Sequence, residues 1–136
     1  MPLTSDRDTQ RRNGDLLSLP LSAIKVFAGG LACISTATGF ATKGATATTL
    51  RGVGVFEETV DNSAGAAGAV NAPIRRDGCF RFANSSAGDL ITLADVGADC
   101  YIVDDATVAK TSGSATRSIA GKVRDVDAVG VWIEFN

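Results

Sequence analysis

Short runs in which apolar and polar residues alternate with period two recur along most of this chain, the signature of strands with one buried face. Leu17, Leu19 and Leu21 alternate with Ser18, Pro20 and Ser22, which predicts a half-buried extended segment. Pro20 cannot donate to a ladder and places that segment at an edge or a bend. Further strands are expected at Leu31–Ser35, Leu50–Phe56, 70–75, Cys79–Phe82, 100–105, 107–109, Ile119–Val126 and 129–135. Within them Val53 and Val55 should face one way and Phe56 the other, Phe80 and Phe82 should share a face across Arg81, and Val131, Ile133 and Phe135 should alternate with Trp132 and Glu134.

Turn chemistry punctuates these runs. Arg76-Asp77-Gly78 between two strand candidates predicts a β-hairpin, and Asp127-Ala128-Val129-Gly130 predicts a second tight turn. Thr92 is placed to cap a short helical turn through Asp95 that Gly97 ends. Residues 36–49 read as loop, 61–70 as an exposed, mobile loop, and 111–117 as a flexible one. Gly52 and Gly54 lack the third glycine of a dinucleotide fingerprint, and glycines inside a strand mark a bulge or a close backbone approach. Without βαβ alternation a parallel sheet is disfavoured, so the expected class is all-β, a compact sandwich or tulip/barrel of short antiparallel strands.

Composition sharpens this picture. The 136 residues fit one domain that needs no disulfide framework. Hydrophobic residues are 45% of the chain but aromatics only 6%, with 15 glycines, so the core is built from small side chains and association would help to complete it. A formal net charge of -2, with no Lys/Arg patch free of acidic neighbours, argues against a nucleic-acid surface. No apolar run is long enough to cross a bilayer and the first residues are polar, so a soluble, cytosolically made protein is expected, with no membrane partner.

Histidine is absent, which removes the usual imidazole partner of Ser and Cys nucleophiles, and no cofactor motif or Walker sequence occurs. Cys33, Cys79 and Cys100 lie far apart without a CxxC and are expected to be buried, reduced thiols rather than metal ligands. The carboxylates Asp104-Asp105 and Asp125/Asp127 are the only candidates for cation binding or paired acid/base work, and solvated turns are the simpler reading. Neither a catalytic site nor a metal site is therefore expected. Trp132, the single tryptophan, is expected in core or subunit packing with Phe80 and Phe82.

The leader MPLTSDRDTQRRNGD mixes Asp6, Asp8 and Asp15 with Arg7, Arg11 and Arg12 and shows no periodicity. It opens an extended arm assigned to residues 1–20, ahead of a β-rich domain at 21–136; the leader of about 15 residues could reach roughly 50 Å at about 3.3 Å per residue and is suited to adding a strand to a partner's sheet. On RDTQRRNGDLLSLPLS, VFEETVDNSAGAAGAV with CFRFANS, LADVGADCYIVDDATVAKT and IAGKVRDVDAVGVWIEF, the chain resembles the capsid decoration (cement) proteins of tailed bacteriophages, including those of Mu-like phages. The resemblance implies a homotrimer on the outer surface of the virion capsid, clamping neighbouring copies of the major capsid protein, with Arg7, Arg11, Arg12, Leu17 and Leu19 touching the lattice. A different class of function is a tail or head-fibre module that binds a host glycan through Trp132, Tyr101 or the loops, and a third is a hydrolase built on the Asp clusters.

Overall fold

The computed structural model describes residues 2–12 and 14–135. Met1 and Asn13 of the expected arm and Asn136 at the end of the expected domain lie outside the described residues. The chain is all-β: the described residues form twelve strands in three antiparallel sheets and two single 3-10 turns, and the sheets do not close into a barrel. The first sheet contains β1 (Leu16–Pro20), β3 (Leu31–Ser35), β4 (Ala41–Lys43), β5 (Leu50–Phe56) and β7 (Asn71–Arg75) in the order β1-β7-β5-β3-β4. The second contains β8 (Cys79–Phe82), β9 (Asp99–Ile102), β10 (Val108–Ala109), β11 (Ile119–Val126) and β12 (Val131–Glu134) in the order β10-β9-β11-β12-β8. A small ribbon of β2 (Lys25–Val26) and β6 (Val60–Asp61) forms the third. The two large sheets are thus successive halves of the chain, and Arg76-Asp77-Gly78 is the passage between them.

That passage corrects the expected hairpin. β7 pairs with β1 and β5, while β8 pairs with β12 in the other sheet. Gly78 does take the left-handed φ of +85° that a tight turn requires, and Asp77 is held by Arg75 at 3.1 Å. The dipeptide specifies a change of direction, and nothing in it specifies that the strands on either side pair.

Two apolar clusters place the first sheet in the middle. Leu31, Cys33, Leu50 and Val55 from its inner face meet Phe82, Ile91, Cys100, Ile102, Val123, Val131 and Ile133 of the C-terminal half. On its other face Ala32, Phe56, Ala72 and Ile74 pack with Leu21, Val26, Ile24 and Val60 around the small ribbon. β3 sends Leu31 and Cys33 into the first cluster and Ala32 into the second, so LACIS is apolar on both sides, as a strand covered on both faces must be. Phe56, Ile74 and Ile133 are at most 1% exposed, each contributing about 1.5–3 kcal/mol by burial.

Bulges re-phase the alternation. On β5, Gly52 pairs with Cys33 and Gly54 with Ala32, leaving Val53 as an extra residue. Val53 therefore joins Phe56 in the second cluster while Val55 faces the first, correcting the expectation that the two valines share a face. On β11, Ala120 is the residue inserted at the 119/121 bulge and Arg124 the one inserted at the 123/125 bulge, so Ala120, Val123 and Val126 line one core at intervals of three. Spacing that looks helical is accommodated in a strand by one inserted residue per step.

Glycine is required at position 52, where β5 crosses β11. A Cβ there would lie 2.2 Å from the Ala120 carbonyl oxygen and 3.0 Å from its Cα, so the two sheets touch through backbone.

The prolines sit where ladders lose nothing. Leu21 N–H donates to Val70 O and Arg76 N–H to Asp15 O, so the odd residues of β1 face β7 and Pro20 turns its nitrogen to the open edge, as expected of an edge strand. Pro73 accepts from Glu57 N–H through its carbonyl, so its missing donor faces a point just past the end of β5.

Candidate binding surfaces

The expected arm divides at residue 16. Residues 2–12, 14 and 15 are all exposed, and Arg7, Arg11 and Arg12 form no ion pair among the described residues. Leu17 and Leu19 do not belong to a free arm: β1 pairs along its whole length with β7 and both leucines pack on the second cluster. Alternation foretold this, because a half-buried stripe needs a core to lie on and the nearest is the chain's own. The arm is therefore an exposed tether rooted in an edge strand of the body.

Phe80, Phe82 and Trp132 separate as well. Phe82 is buried and meets Phe135 edge-on with ring centroids 6.3 Å apart, and Phe80 lies 6.0 Å from the same ring. Both belong to the chain's own core. Trp132 is half-buried on the opposite face of the sheet, directly across from Arg81, whose guanidinium carbon stands 5.5 Å from the ring centroid. The indole N–H donates to Asp127 at 2.8 Å, so both ring face and polar edge are engaged within the chain.

Asp127 is the keystone of the β11–β12 turn, which closes where the sequence predicts. Its other carboxylate oxygen accepts from Val129 and Gly130 N–H at 2.8 and 2.9 Å. The Trp132 bond first, then these two backbone donors, hold its pKa below the ordinary 3.8. A carboxyl depressed in this way stabilises the fold above its unfolded pKa and loses that contribution as pH falls through the folded value. Trp132 emission is expected to change in an acid step whose midpoint lies below 3.8. In Asp127→Asn that acid step should be missing; identical titrations of the two proteins would refute the assignment.

The remaining carboxylates serve local geometry. Asp104 accepts from Ala106 N–H at 2.8 Å and Asp125 from Val126 N–H at 2.8 Å. Among the described residues no three His, Cys, Asp or Glu side chains converge to hold a metal ion, and no helix is long and apolar enough to cross a membrane. Cys33 and Cys100 are buried, with thiols pushed up to about 12 by burial. Cys79 is exposed, which corrects the expectation of three buried thiols. The alternation that turns Phe80 and Phe82 inward turns Cys79 and Arg81 out.

Two loops carry more structure than their composition announces. Asn62 in the low-bulk 61–70 stretch is only 4% exposed. Its amide donates to Leu21 O, Ser22 O and Ala66 O at 3.2, 3.2 and 2.9 Å, tying the loop to the strand that leaves β1. In 111–117, the Ser112 hydroxyl accepts from Ala115 N–H and its carbonyl from Thr116 and Arg117 N–H, while Arg117 donates to Thr111 O and pairs with Asp89 at 3.2 Å. Thr92 and Asp95 cap the 3-10 turn Leu93–Asp95 as expected, the Thr92 N–H donating to the Asp95 carboxylate at 2.8 Å.

Folding also assembles a groove that the sequence did not announce, where the start of β5 meets β9 and β11. Two adjoining depressions, of about 440 and 360 Å³, share Arg51 and Ile119; the second also draws in Thr48, Leu50, Tyr101 and Arg117. These residues come from segments some fifty positions apart, each unremarkable alone.

The fold is that of an all-β sandwich carrying a third, two-stranded layer and an exposed N-terminal tether. No family model, curated protein or solved structure matches the chain.

Proposed function

We propose that this protein is a structural adhesive of a viral shell, a decoration protein on the outer surface of a tailed-phage capsid. The observation that carries the reading is the tether: a fully exposed, mixed-charge stretch anchored through β1 to a sheet covered on both faces. A grip rooted in a rigid body transmits force to that body instead of fraying from it, and docking of the body raises the effective concentration of the arm at a neighbouring subunit. At about 3.3 Å per residue the stretch before β1 reaches roughly 45 Å when extended, a distance suited to bridging one shell subunit and the next. On the resemblance, three copies would sit together over neighbouring major capsid subunits, made in the host cytoplasm and recruited to the finished head.

The structure changes how this is tested. Removing residues 1–20 would strip an edge strand and uncover Leu21, Ala72 and Ile74 of the second cluster, confusing loss of binding with loss of fold. Removing residues 2–14 leaves β1 in place together with the Arg76 N–H bond to Asp15 O. The full chain is expected to saturate undecorated expanded heads and raise their melting temperature, and the 2–14 deletion to keep its own melting temperature while binding at least about tenfold more weakly. Heads that take up neither protein would sink the reading, and equal uptake of both would remove the arm from it.

A further inference from the structure

We infer that the groove between β5 and β11 is a second docking site on the body, built to take an extended peptide segment of a partner protein that carries a carboxylate beside an aliphatic side chain. The argument begins with charge. Acidic residues outnumber basic ones 15 to 13 along the chain, yet the two depressions are lined by Arg51 and Arg117 and by no Asp or Glu.

The two arginines are not equivalent. Arg117 is largely covered and spends its charge on Asp89 and on Thr111 O. Arg51 is exposed and makes no hydrogen bond or ion pair among the described residues. Of its polar neighbours in the groove, the Tyr101 and Thr48 hydroxyls are likewise without a hydrogen bond among the described residues, whereas the Ser118 hydroxyl is committed, donating to Ala47 O at 2.7 Å and accepting from Leu50 N–H at 3.1 Å. A free guanidinium with two free hydroxyls is a donor set for one carboxylate, since an ionised acceptor strengthens each such bond. The apolar part of the groove is equally specific: Ile119 is 42% exposed beside half-buried Leu50, Val53 and Ile34, a surface that a partner's aliphatic side chain would cover.

The local backbone explains why the groove is open here. Both bordering strands are interrupted, β5 by the extra residue at Val53 and β11 by its bulge between Ile119 and Gly121, and an interrupted ladder leaves the strands splayed and re-aims side chains. Gly52 against Ala120 forms the closed end. A segment lying along the groove would therefore meet Arg51 at the point shared by both depressions.

The site does not depend on the shell reading, and its test uses no heads. Isotope-labelled full-length protein is titrated with the capped tripeptide acetyl-Ile-Glu-Val-amide, its Gln counterpart, and inorganic phosphate, each to about 10 mM, a concentration that reveals millimolar affinities. The Glu peptide is expected to shift the amides of residues 48–53, 101 and 117–120, with binding at least roughly tenfold weaker for the Gln peptide and in Arg51→Ala, and only partly restored in Arg51→Lys, which keeps the charge and loses the fork of donors. Arg51 is at the surface, so an unchanged spectrum elsewhere in Arg51→Ala certifies its fold. Shifts confined to other residues, no shifts at all, or equal response to phosphate and peptide would each overturn the assignment.

Discussion

Gly52→Val is expected to cost about 3 kcal/mol or more of folding stability, because a side chain at that position has nowhere to go. Its Cβ would sit 2.2 Å from the Ala120 carbonyl oxygen, and both colliding groups are anchored in strands of opposite sheets. Overpacking in a well-filled core typically costs 1–3 kcal/mol when neighbouring side chains can yield; here the neighbour is backbone, so the effect should lie at or beyond the upper limit. Against a total of about 5–15 kcal/mol for a domain, that is a large share. A urea titration should show the midpoint falling sharply, and Gly88→Ala supplies the control. Nothing lies within 4 Å of a Cβ at Gly88, so its midpoint should stay within about 0.5 kcal/mol of the parent. A Gly52→Val protein as stable as the parent would mean that the sheets do not touch here.

Asn62→Asp is expected to be comparably damaging and, unlike Gly52→Val, to be relieved by acid. The three carbonyls that Asn62 serves each have a second donor, Gly68 N–H on Leu21 O, Ile24 N–H on Ser22 O and Ala69 N–H on Ala66 O. Asn62→Ala therefore orphans none of them and should cost about 2 kcal/mol, because the two N–H groups of one amide, shared among three carbonyls, are worth about 1 kcal/mol each. Aspartate at the same place turns an ionised oxygen toward those carbonyls in a site that is 4% exposed for asparagine. An unpaired buried charge costs about 3–5 kcal/mol. Burial would raise the folded pKa of that carboxyl above its unfolded value, so the folded state binds more protons between the two and stability falls as pH rises through that window. Lowering the pH from 7 toward 4 should recover part of the loss in Asn62→Asp and none in Asn62→Ala. Parallel pH profiles for the two variants would show that Asn62 does not face those carbonyls.

Much of the architecture was legible in the sequence, and the failures share a cause. Leu31–Ser35, Leu50–Phe56, Cys79–Phe82 and Ile119–Val126 are strands with the bounds that alternation suggests, and the Asp127–Gly130 turn joins β11 to β12. β2, β4 and β6 passed unseen because two or three residues cannot display a period. The valines of β5 were misassigned because one inserted residue inverts every face beyond it, and only the pairing partner reveals the insertion. The Asp77-Gly78 hairpin failed for a related reason: turn chemistry is local, whereas the choice of partner strand belongs to the whole fold. Of the candidate surfaces, the tether was readable as a stretch with almost no apolar residue, though its end was set too far along the chain. The groove around Arg51 was not readable at all, since Thr48, Tyr101 and Arg117 become neighbours only when β5, β9 and β11 meet. Asn62 was hidden by its company, one amide in a run of alanine, glycine and serine.

Because the sheets are consecutive stretches of chain joined at residues 76–78, synthesis on the ribosome delivers them in turn. By the time Arg75 has emerged from the exit tunnel, every member of the cluster around Phe56 and Ile74 is present, so one side of the nascent sheet can seal at once. Its opposite side, with Leu31, Cys33 and Val55, stays wet and adhesive until Ile133 of the second sheet has also emerged. At the usual pace of about 5–20 residues per second, that interval lasts roughly 3–12 s, a window in which two nascent chains on one messenger could stick to each other before the second sheet covers either of them.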